Sequence, residues 1–281
     1  MEGWSREVKS VRHLAYTAPA LVLLAVGFGW PLVLLVVGLG SNGFTFPARL
    51  IVRVEMTTIE LAITVSVAAT ALATALALVV RNLNEWVRRT VFFLCLFPMG
   101  VNIAFRVFGV QYLLSPEGPL VATAEALNLS LNPGALLFTR TATTIGLIHW
   151  TFPVVVPLMF VAATRLDEAT EHAALLLGAP QRAVVFRVIL PQLGPAIATS
   201  FTLSFCLAYG SFITPAALGG INDVTITRLI GSFLADGRGA DASAAAVVAL
   251  LGPTVFVLLF WLALRAARMS TMSTRHLSAE R

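Results

Sequence analysis

The sequence predicts an all-α integral membrane protein with six membrane-spanning helices. Of its 281 residues, 58% are apolar and 12% are charged, and the mean hydropathy is +0.87. A soluble domain has about 45–50% apolar and about 25% charged residues. Six apolar stretches reach the roughly 20 residues that a helix needs to cross a bilayer core. They are residues 15–38, 57–80, 90–113, 141–163, 195–218 and 242–264.

The composition excludes several other classes of protein. A disordered chain would be more polar, and a small secreted disulfide scaffold would need more than the two cysteines present. The apolar stretches occupy about half of the chain, so too little sequence remains between them for a second independent core. Residues 1–281 are therefore predicted to form a single membrane domain.

Basic residues predict the orientation of the chain, because Lys and Arg collect on the cytoplasmic side of a bilayer. With the N-terminus inside, 13 of the 19 basic residues fall in inner segments and five in outer ones. Both termini are thus expected in the cytoplasm. The net charge of +5 follows from this topology, and the scattered basic residues do not predict a nucleic-acid surface.

The longest inner loop, residues 164–194, carries helical signals of its own. Asp167 can cap a short helix with an acidic first turn, and Gly178 stands where a left-handed residue would end that helix. Pro180 suits the start of a second helix, which is expected to stop at Pro191. The loop is therefore predicted to contain a helix, a glycine turn and another helix.

The first loop helix has a surface suited to contact with another protein. Ala173 and Ala174 would let a partner's backbone approach closely, and residues 175–177, all leucines, would add apolar contact. The alternative is an amphipathic helix lying on the bilayer, which would have a stronger basic face.

Residues 171–191, EHAALLLGAPQRAVVFRVILP, resemble the "EAA" signature of the integral membrane permease subunits of binding-protein-dependent ABC importers. The positions that match this pattern in identity and spacing are Ala173, Ala174, Gly178, Leu190 and Pro191. His172 departs from it, because it stands where the family usually has Glu, with Glu171 one position earlier. A shift of one residue turns a side chain by about 100° around the helix.

A second run, YGSFITPAALGG at residues 209–220, is similar to the end of the fifth span in permeases of the spermidine/putrescine type, which also serve amine, phosphonate and iron uptake systems. The resemblance implies a type I ABC importer permease fold with a cytoplasmic coupling helix between spans four and five. It implies a location in a bacterial inner membrane, surrounded by lipid. The implied partners are a second, different permease, two cytoplasmic ATPase subunits and a periplasmic substrate-binding protein.

The same resemblance implies a role for each matching part of the loop. Residues expected to contact the ATPase are Glu168, Glu171, His172, Ala173, Ala174, Leu177, Gly178 and Ala179. ATP and Mg would bind the partner ATPase, since the chain has no G-x-x-x-x-G-K-[ST] motif. The chain itself is expected to bind no cofactor or metal and to catalyse no reaction. The implied solute is polyamine-like or a related small amine or zwitterion, and the alternative is an anionic or iron-type solute.

Polar residues at depth in the spans are candidates for the translocation pathway, because such groups are costly in lipid. The candidates are Asn102, Arg106, His149, Ser204, Tyr209 and Ser211. Spans three and four are expected to be broken locally, by Pro98 with Gly100 and by Pro153 and Pro157. Ordinary interhelical hydrogen bonds are the alternative role for each candidate.

Arg106 and Glu60 are expected at similar depth, so an ion pair between them is the favoured interpretation. If Arg106 instead faces the pathway, it argues for an anionic or zwitterionic solute rather than a polycation. The sequence leaves this choice open.

Two other classes of membrane protein are less consistent with the sequence. A secondary carrier would show internal repeats and would have no helical docking loop. An intramembrane hydrolase could use Ser211 and His149, but the expected Gly-x-Ser-Gly pattern is missing. The four histidines and two cysteines show no metal-ligand spacing.

Overall fold

The computed structural model describes residues 25–41, 46–127, 133–221 and 223–279, together with positions 19, 22 and 23. The regular elements within these ranges are helices, beginning with a π-helical segment at Ala25–Gly29. The α-helices are α1 Trp30–Ser41, α2 Ala48–Val80, α3 Glu85–Leu96, α4 Ile103–Leu113, α5 Pro119–Ala126, α6 Arg140–Thr164, α7 Glu168–Leu176, α8 Gln181–Val184, α9 Leu190–Tyr209, α10 Ile213–Leu218, α11 Ile226–Ala235 and α12 Gly239–Ala279. Short 3-10 helices occupy Phe97–Gly100 and Pro133–Leu136.

Four helices in the described residues are long and apolar enough to cross a membrane. They are Ala48–Val80, Arg140–Thr164, Gln181–Tyr209 and Gly239–Ala267, and the pair Glu85–Gly100 and Ile103–Leu113 would make a fifth span with a bend of 101°. The first of the six predicted spans, residues 15–38, lies partly outside the described residues. The prediction of helical membrane spans is therefore confirmed for four to five of them, and the count of six stays a prediction.

The second and third spans differ from their predicted form. Helix α2 begins at Ala48, nine residues before the expected start at position 57. Span three is broken as expected near Pro98 and Gly100, where a 3-10 turn separates α3 from α4. Asn102 follows this turn, and its side chain caps α4 by accepting a hydrogen bond of 2.9 Å from the amide of Ala104. The break thus arises from a proline turn followed by a new helix start.

The predictions for Pro153, Pro157 and Pro191 were wrong, whereas Pro180 directly precedes the second loop helix as expected. Pro153 and Pro157 lie within α6, which is helical without interruption from Arg140 to Thr164. Pro191 does not stop the second loop helix, because the π-helical segment Val185–Ile189 joins α8 directly to α9. A π turn changes the hydrogen-bond register, so the missing N–H of a proline can be accommodated without ending the helix. Span five therefore runs from Gln181 to Tyr209, and residues 210–218 form a turn and α10 instead of its end.

Helices α2, α6 and α9 form the centre of the fold and pack against one another. On α2, Ala69, Ala73 and Ala77 recur at intervals of four and are at most 1% exposed. Small residues on one helix face allow close helix approach in membranes. Phe205 of α9 stacks on Phe256 of α12 with ring centroids 4.5 Å apart, which attaches the last long helix to this centre.

Candidate functional site

The short helix α7 is fixed at its start by Asp167. The carboxylate of Asp167 accepts a hydrogen bond of 2.5 Å from the hydroxyl of Thr170 and one of 3.0 Å from the amide of Ala169. These bonds, the one from Thr170 first, hold the pKa of the Asp167 carboxyl below its usual range. Glu168 and Glu171 occupy the first turn, where negative charge suits the helix dipole. The predicted N-terminal cap is confirmed.

Gly178 forms the turn that ends α7, two residues after its last residue, Leu176, as the sequence predicts. Gly178 has a φ of +82°, in the left-handed region that glycine adopts most readily. Its amide donates to the carbonyl of Leu175 at 2.9 Å, and the amide of Ala179 donates to that of Ala174 at 3.1 Å. This pair of bonds is a Schellman motif, which satisfies carbonyls at the helix end and turns the chain. Both ends of α7 are therefore fixed by specific local contacts.

Glu171 attaches α7 to the body of the protein. Its carboxylate accepts hydrogen bonds of 2.6 and 2.7 Å from Nη2 of Arg81, the residue that follows α2. The side chain of Arg81 is 12% exposed and that of Glu171 is 22% exposed. The pair forms part of the wall of a polar cavity of about 460 Å³ that Arg88, Glu168 and His172 also line. Glu171 therefore faces inward, toward the end of a central helix.

The exposed surface at the C-terminal end of α7 is apolar. Leu176 and Leu177 are each 89% exposed, whereas Ala174 and Ala179 pack against the core around α2 and α6. His172 is exposed, and its Nδ1 lies 2.7 Å from the carbonyl oxygen of Glu168 within the same helix. The glutamate of this chain stands one residue earlier than in the family pattern. As a result, Glu171 lies against the body of the protein and His172 lies on the surface.

Arg106 and His149 are brought together by the fold, near Trp150 and Thr214. All four line a narrow cavity of about 10 Å³ between α4, α6 and α10. The guanidinium of Arg106 lies over the ring of Trp150, with Cζ 4.6 Å from the ring centroid. His149 also lines an open apolar groove of about 630 Å³ between α2 and α6. Two of the six pathway candidates therefore share one site.

The ion pair expected between Arg106 and Glu60 is not formed. Glu60 pairs with Arg140, the first residue of α6, at 3.1 Å. Depth along straight helices predicted the other pairing, but the bend of 101° between α3 and α4 changes the course of the segment that carries Arg106. Arg106 consequently faces the cavity beside Trp150.

Tyr209 occupies a different position, between three long helices. Its hydroxyl lies 2.7 and 2.9 Å from the carboxyl oxygens of Glu55 in α2, and 3.0 Å from the carbonyl oxygen of Ala249 in α12. Pro253 has no N–H for that carbonyl, which is four residues earlier in α12. Glu55 and Tyr209 are 3% and 7% exposed. The hydroxyl therefore joins α9 to α2 and α12.

Replacing Tyr209 with phenylalanine is expected to lower the stability of the protein by about 1–2 kcal/mol, since a buried carboxyl and a buried carbonyl lose their partner. The measurement is the midpoint of thermal unfolding in detergent. Tyr112→Phe is the matched control, because Tyr112 is 64% exposed. Equal midpoints for the two variants would contradict the role given to Tyr209.

The remaining pathway candidates are separate from the Arg106 cavity. Ser204 is fully buried in α9, and Ser211 is 9% exposed after its end. Neither hydroxyl has a hydrogen-bond partner among the described residues. Asn102 caps α4, as described above. The structure thus places these three at helix contacts or helix ends and does not assign them a shared cavity.

Sequence analysis missed four residues that complete these contacts, namely Arg81, Glu55, Trp150 and Thr214. Thr214 lies within the run ITPAAL that matched the second motif, so its position carried a signal. Arg81 and Glu55 carried no such signal in the sequence, because their partners are 90 and 154 residues away.

The fold occurs in solved ABC transporter structures. One is the bacterial alginate ABC transporter in complex with an alginate pentasaccharide-bound periplasmic protein, of which one chain superposes with a TM-score of 0.78 at 18% identity, over 92% of this chain and 95% of that one. The second is a bacterial ABC transporter involved in the import of the acidic polysaccharide alginate, with a TM-score of 0.75 at 17% identity, over 95% and 99% of the two chains.

Residues 66–271 match the family model described as the inner membrane component of binding-protein-dependent transport systems. The fold and the structured loop are those of a multi-pass membrane subunit of a transport system. The chain belongs to this family of inner membrane components, which confirms the resemblance drawn from residues 171–191.

The relatives of this chain are permeases that are named for two different classes of solute. The chain is 28% identical to the spermidine/putrescine transport system permease protein PotB of Salmonella typhimurium LT2, over 67% of this chain and 65% of PotB. PotB of Haemophilus influenzae is 25% identical, over 76% of each chain. A probable sulfate transport system permease protein, cysT of Chlorokybus atmophyticus, is 36% identical over 48% of this chain and 46% of its own length. The similarity thus spans about two thirds of the Salmonella relative.

Proposed function

We propose that this chain is the permease subunit of an ATP-driven importer and forms half of its translocation pathway. The observation that carries this proposal is α7, a short helix fixed at both ends, attached to α2 through Arg81 and Glu171, with exposed leucines on its outer face. A helix held in this way can transmit movement to the central helices. We infer that it docks on a cytoplasmic ATPase subunit, with both termini of the chain in the cytoplasm.

The proposed assembly contains a second, different permease, two ATPase subunits and a periplasmic binding protein that delivers the solute. ATP and Mg bind the ATPases, so this chain hydrolyses nothing itself. Closure of the ATPases moves the two coupling helices, and the spans alternate between inward-open and outward-open states. The PotB relatives support a polyamine-like or related amine or zwitterionic solute. The sulfate permease relative supports the alternative, an anionic solute.

The test of this proposal is affinity purification of the chain from its native membrane, followed by reconstitution in liposomes. The expected result is co-purification of a P-loop ATPase and a second multi-span protein, and uptake that depends on ATP and on the binding protein. A chain that purifies alone and moves solute without ATP would be a secondary carrier, and the proposal would be wrong.

The exposed leucines give a sharper prediction. Replacing Leu176 and Leu177 together with serine is expected to weaken ATPase binding at least tenfold, because burying a leucine contributes about 1.5–3 kcal/mol. The measurement is the dissociation constant of the ATPase from the permease in detergent. Leu83→Ser is the control, since Leu83 is 43% exposed in the turn after α2. Unchanged ATPase binding by the double variant would show that Leu176 and Leu177 are not part of the docking surface.

A further inference from the structure

The guanidinium of Arg106 is a partly buried cation with unused hydrogen-bond donors. Its Nε and Nη1 atoms are buried and have no hydrogen-bond partner among the described residues. The carboxylate expected to neutralise it, Glu60, binds Arg140 instead. Stacking on Trp150 offsets part of the cost of burying the charge, but it leaves the in-plane N–H groups unsatisfied. A group that accepts hydrogen bonds and carries negative charge would complete this site.

A second unused donor from another helix lines the same cavity. Thr214 of α10 is 0% exposed, and its hydroxyl has no hydrogen-bond partner in the part of the chain that the structure describes. Its position is fixed by close packing on α6, since a Cβ added to Gly146 would lie 2.8 Å from Cγ2 of Thr214. Arg106 and Thr214 therefore line one small space from two separate elements.

The charge and the size of the cavity restrict its ligand. The described residues that line it include Arg106, His149 and Thr214 as polar residues and no Asp or Glu. A volume of about 10 Å³ holds one water-sized group. The cavity can therefore accept an oxygen of an acidic group but not a whole solute. His149 also lines the open groove of about 630 Å³, which is large enough for the remainder of a small molecule.

We propose that Arg106 and Thr214 form a subsite for an oxyanion group, a carboxylate, sulfate, sulfonate or phosphonate, of the transported solute. This inference rests on the proposed importer function and narrows its substrate. Arginine binds such groups through paired N–H donors, and the threonine hydroxyl adds a third donor. A simple polyamine has no oxyanion and is repelled by the partly buried charge of Arg106. The solute is accordingly anionic or zwitterionic.

The test is binding of small oxyanions to the chain, purified with its bound partners and placed in lipid nanodiscs. Sodium sulfate, sodium methylphosphonate and putrescine dihydrochloride are titrated at constant ionic strength. Trp150 reports binding, because it stacks on Arg106, and the signal is taken as the fluorescence difference from a Trp150→Phe variant. Saturable changes with sulfate or methylphosphonate, and none with putrescine, are expected.

Variants separate the subsite from general anion binding. Arg106→Gln is expected to weaken oxyanion binding at least tenfold, Thr214→Val a few fold, and Arg106→Lys less than Arg106→Gln. The matched control is Arg49→Gln, an exposed arginine near the start of α2. If Arg106→Gln does not fold, Thr214→Val still tests the site. A saturable signal from putrescine, no oxyanion signal, or equal oxyanion affinity in wild type and Arg106→Gln would overturn the proposal, with the cavity then filled by water alone.

The failure of this inference and the failure of the importer function give different results. Oxyanion binding that depends on Arg106, in a chain that shows no ATP-dependent uptake, would support the subsite and refute the importer. ATP-dependent uptake that is unaffected by Arg106→Gln, with unchanged oxyanion affinity, would refute the subsite and support the importer.

Discussion

Replacing Gly178 with valine is expected to abolish ATP-dependent transport while the protein still inserts into the membrane. The φ of +82° at Gly178 is strained for a β-branched residue, at a cost of about 1–3 kcal/mol. A Cβ at this position would meet no atom of the described residues within 4 Å, so the effect arises from the backbone. Relief of the strain breaks the two hydrogen bonds that end α7 and changes the direction of this helix relative to α8.

The measurements are uptake into cells that depend on the transporter and the amount of variant protein in their membranes. Gly178→Asn is expected to retain much of the uptake, because asparagine tolerates the left-handed region better than other residues with a side chain. Gly237→Val is the matched control, since Gly237 has a φ of +71° and equally open surroundings but lies between α11 and α12. Normal uptake by a well-expressed Gly178→Val protein would contradict the role of α7 in coupling.

The parts of the fold that sequence predicted well are those set by nearby residues. The cap at Asp167 and the left-handed turn at Gly178 each depend on contacts within three to five positions, and both are as expected. Long apolar runs identified four spans for the same reason, since their length must match the bilayer. Pro191 shows the limit of local rules, because a π-helical segment lets the helix continue through it.

The parts that sequence could not predict depend on distant residues. The bend between α3 and α4 determines which charges meet, so Glu60 pairs with Arg140 and Arg106 faces a cavity. Tyr209 was predicted from its depth in a span, but its contacts come from Glu55 and from a carbonyl that Pro253 leaves free. Polarity at depth indicates that a residue has a partner or a ligand, and only the packing of the helices distinguishes the two.

Breaking the pair between Arg81 and Glu171 is expected to uncouple α7 from the central helices. Arg81→Ala leaves Glu171 partly buried without its cation, which we expect to displace α7 and to reduce ATP-dependent uptake about tenfold or more. Glu171→Ala should have a similar effect. The combined exchange Arg81→Glu with Glu171→Arg restores the attraction with altered geometry, so partial recovery is expected. Uptake is again compared at equal membrane levels.

A double-mutant cycle on stability tests whether the contact itself is responsible. The Arg81–Glu171 pair, 12% and 22% exposed, is expected to give a coupling free energy of about 1–2 kcal/mol. The pair Arg89–Glu85 in α3 is the control, because its side chains are 70% and 62% exposed, and such pairs contribute about 0.5 kcal/mol or less. If both cycles give the same small value and uptake survives Arg81→Ala, the force on α7 must reach the central helices by another route. The continuous helix from Gln181 to Tyr209 is the remaining connection, since it leads from the loop directly into the core.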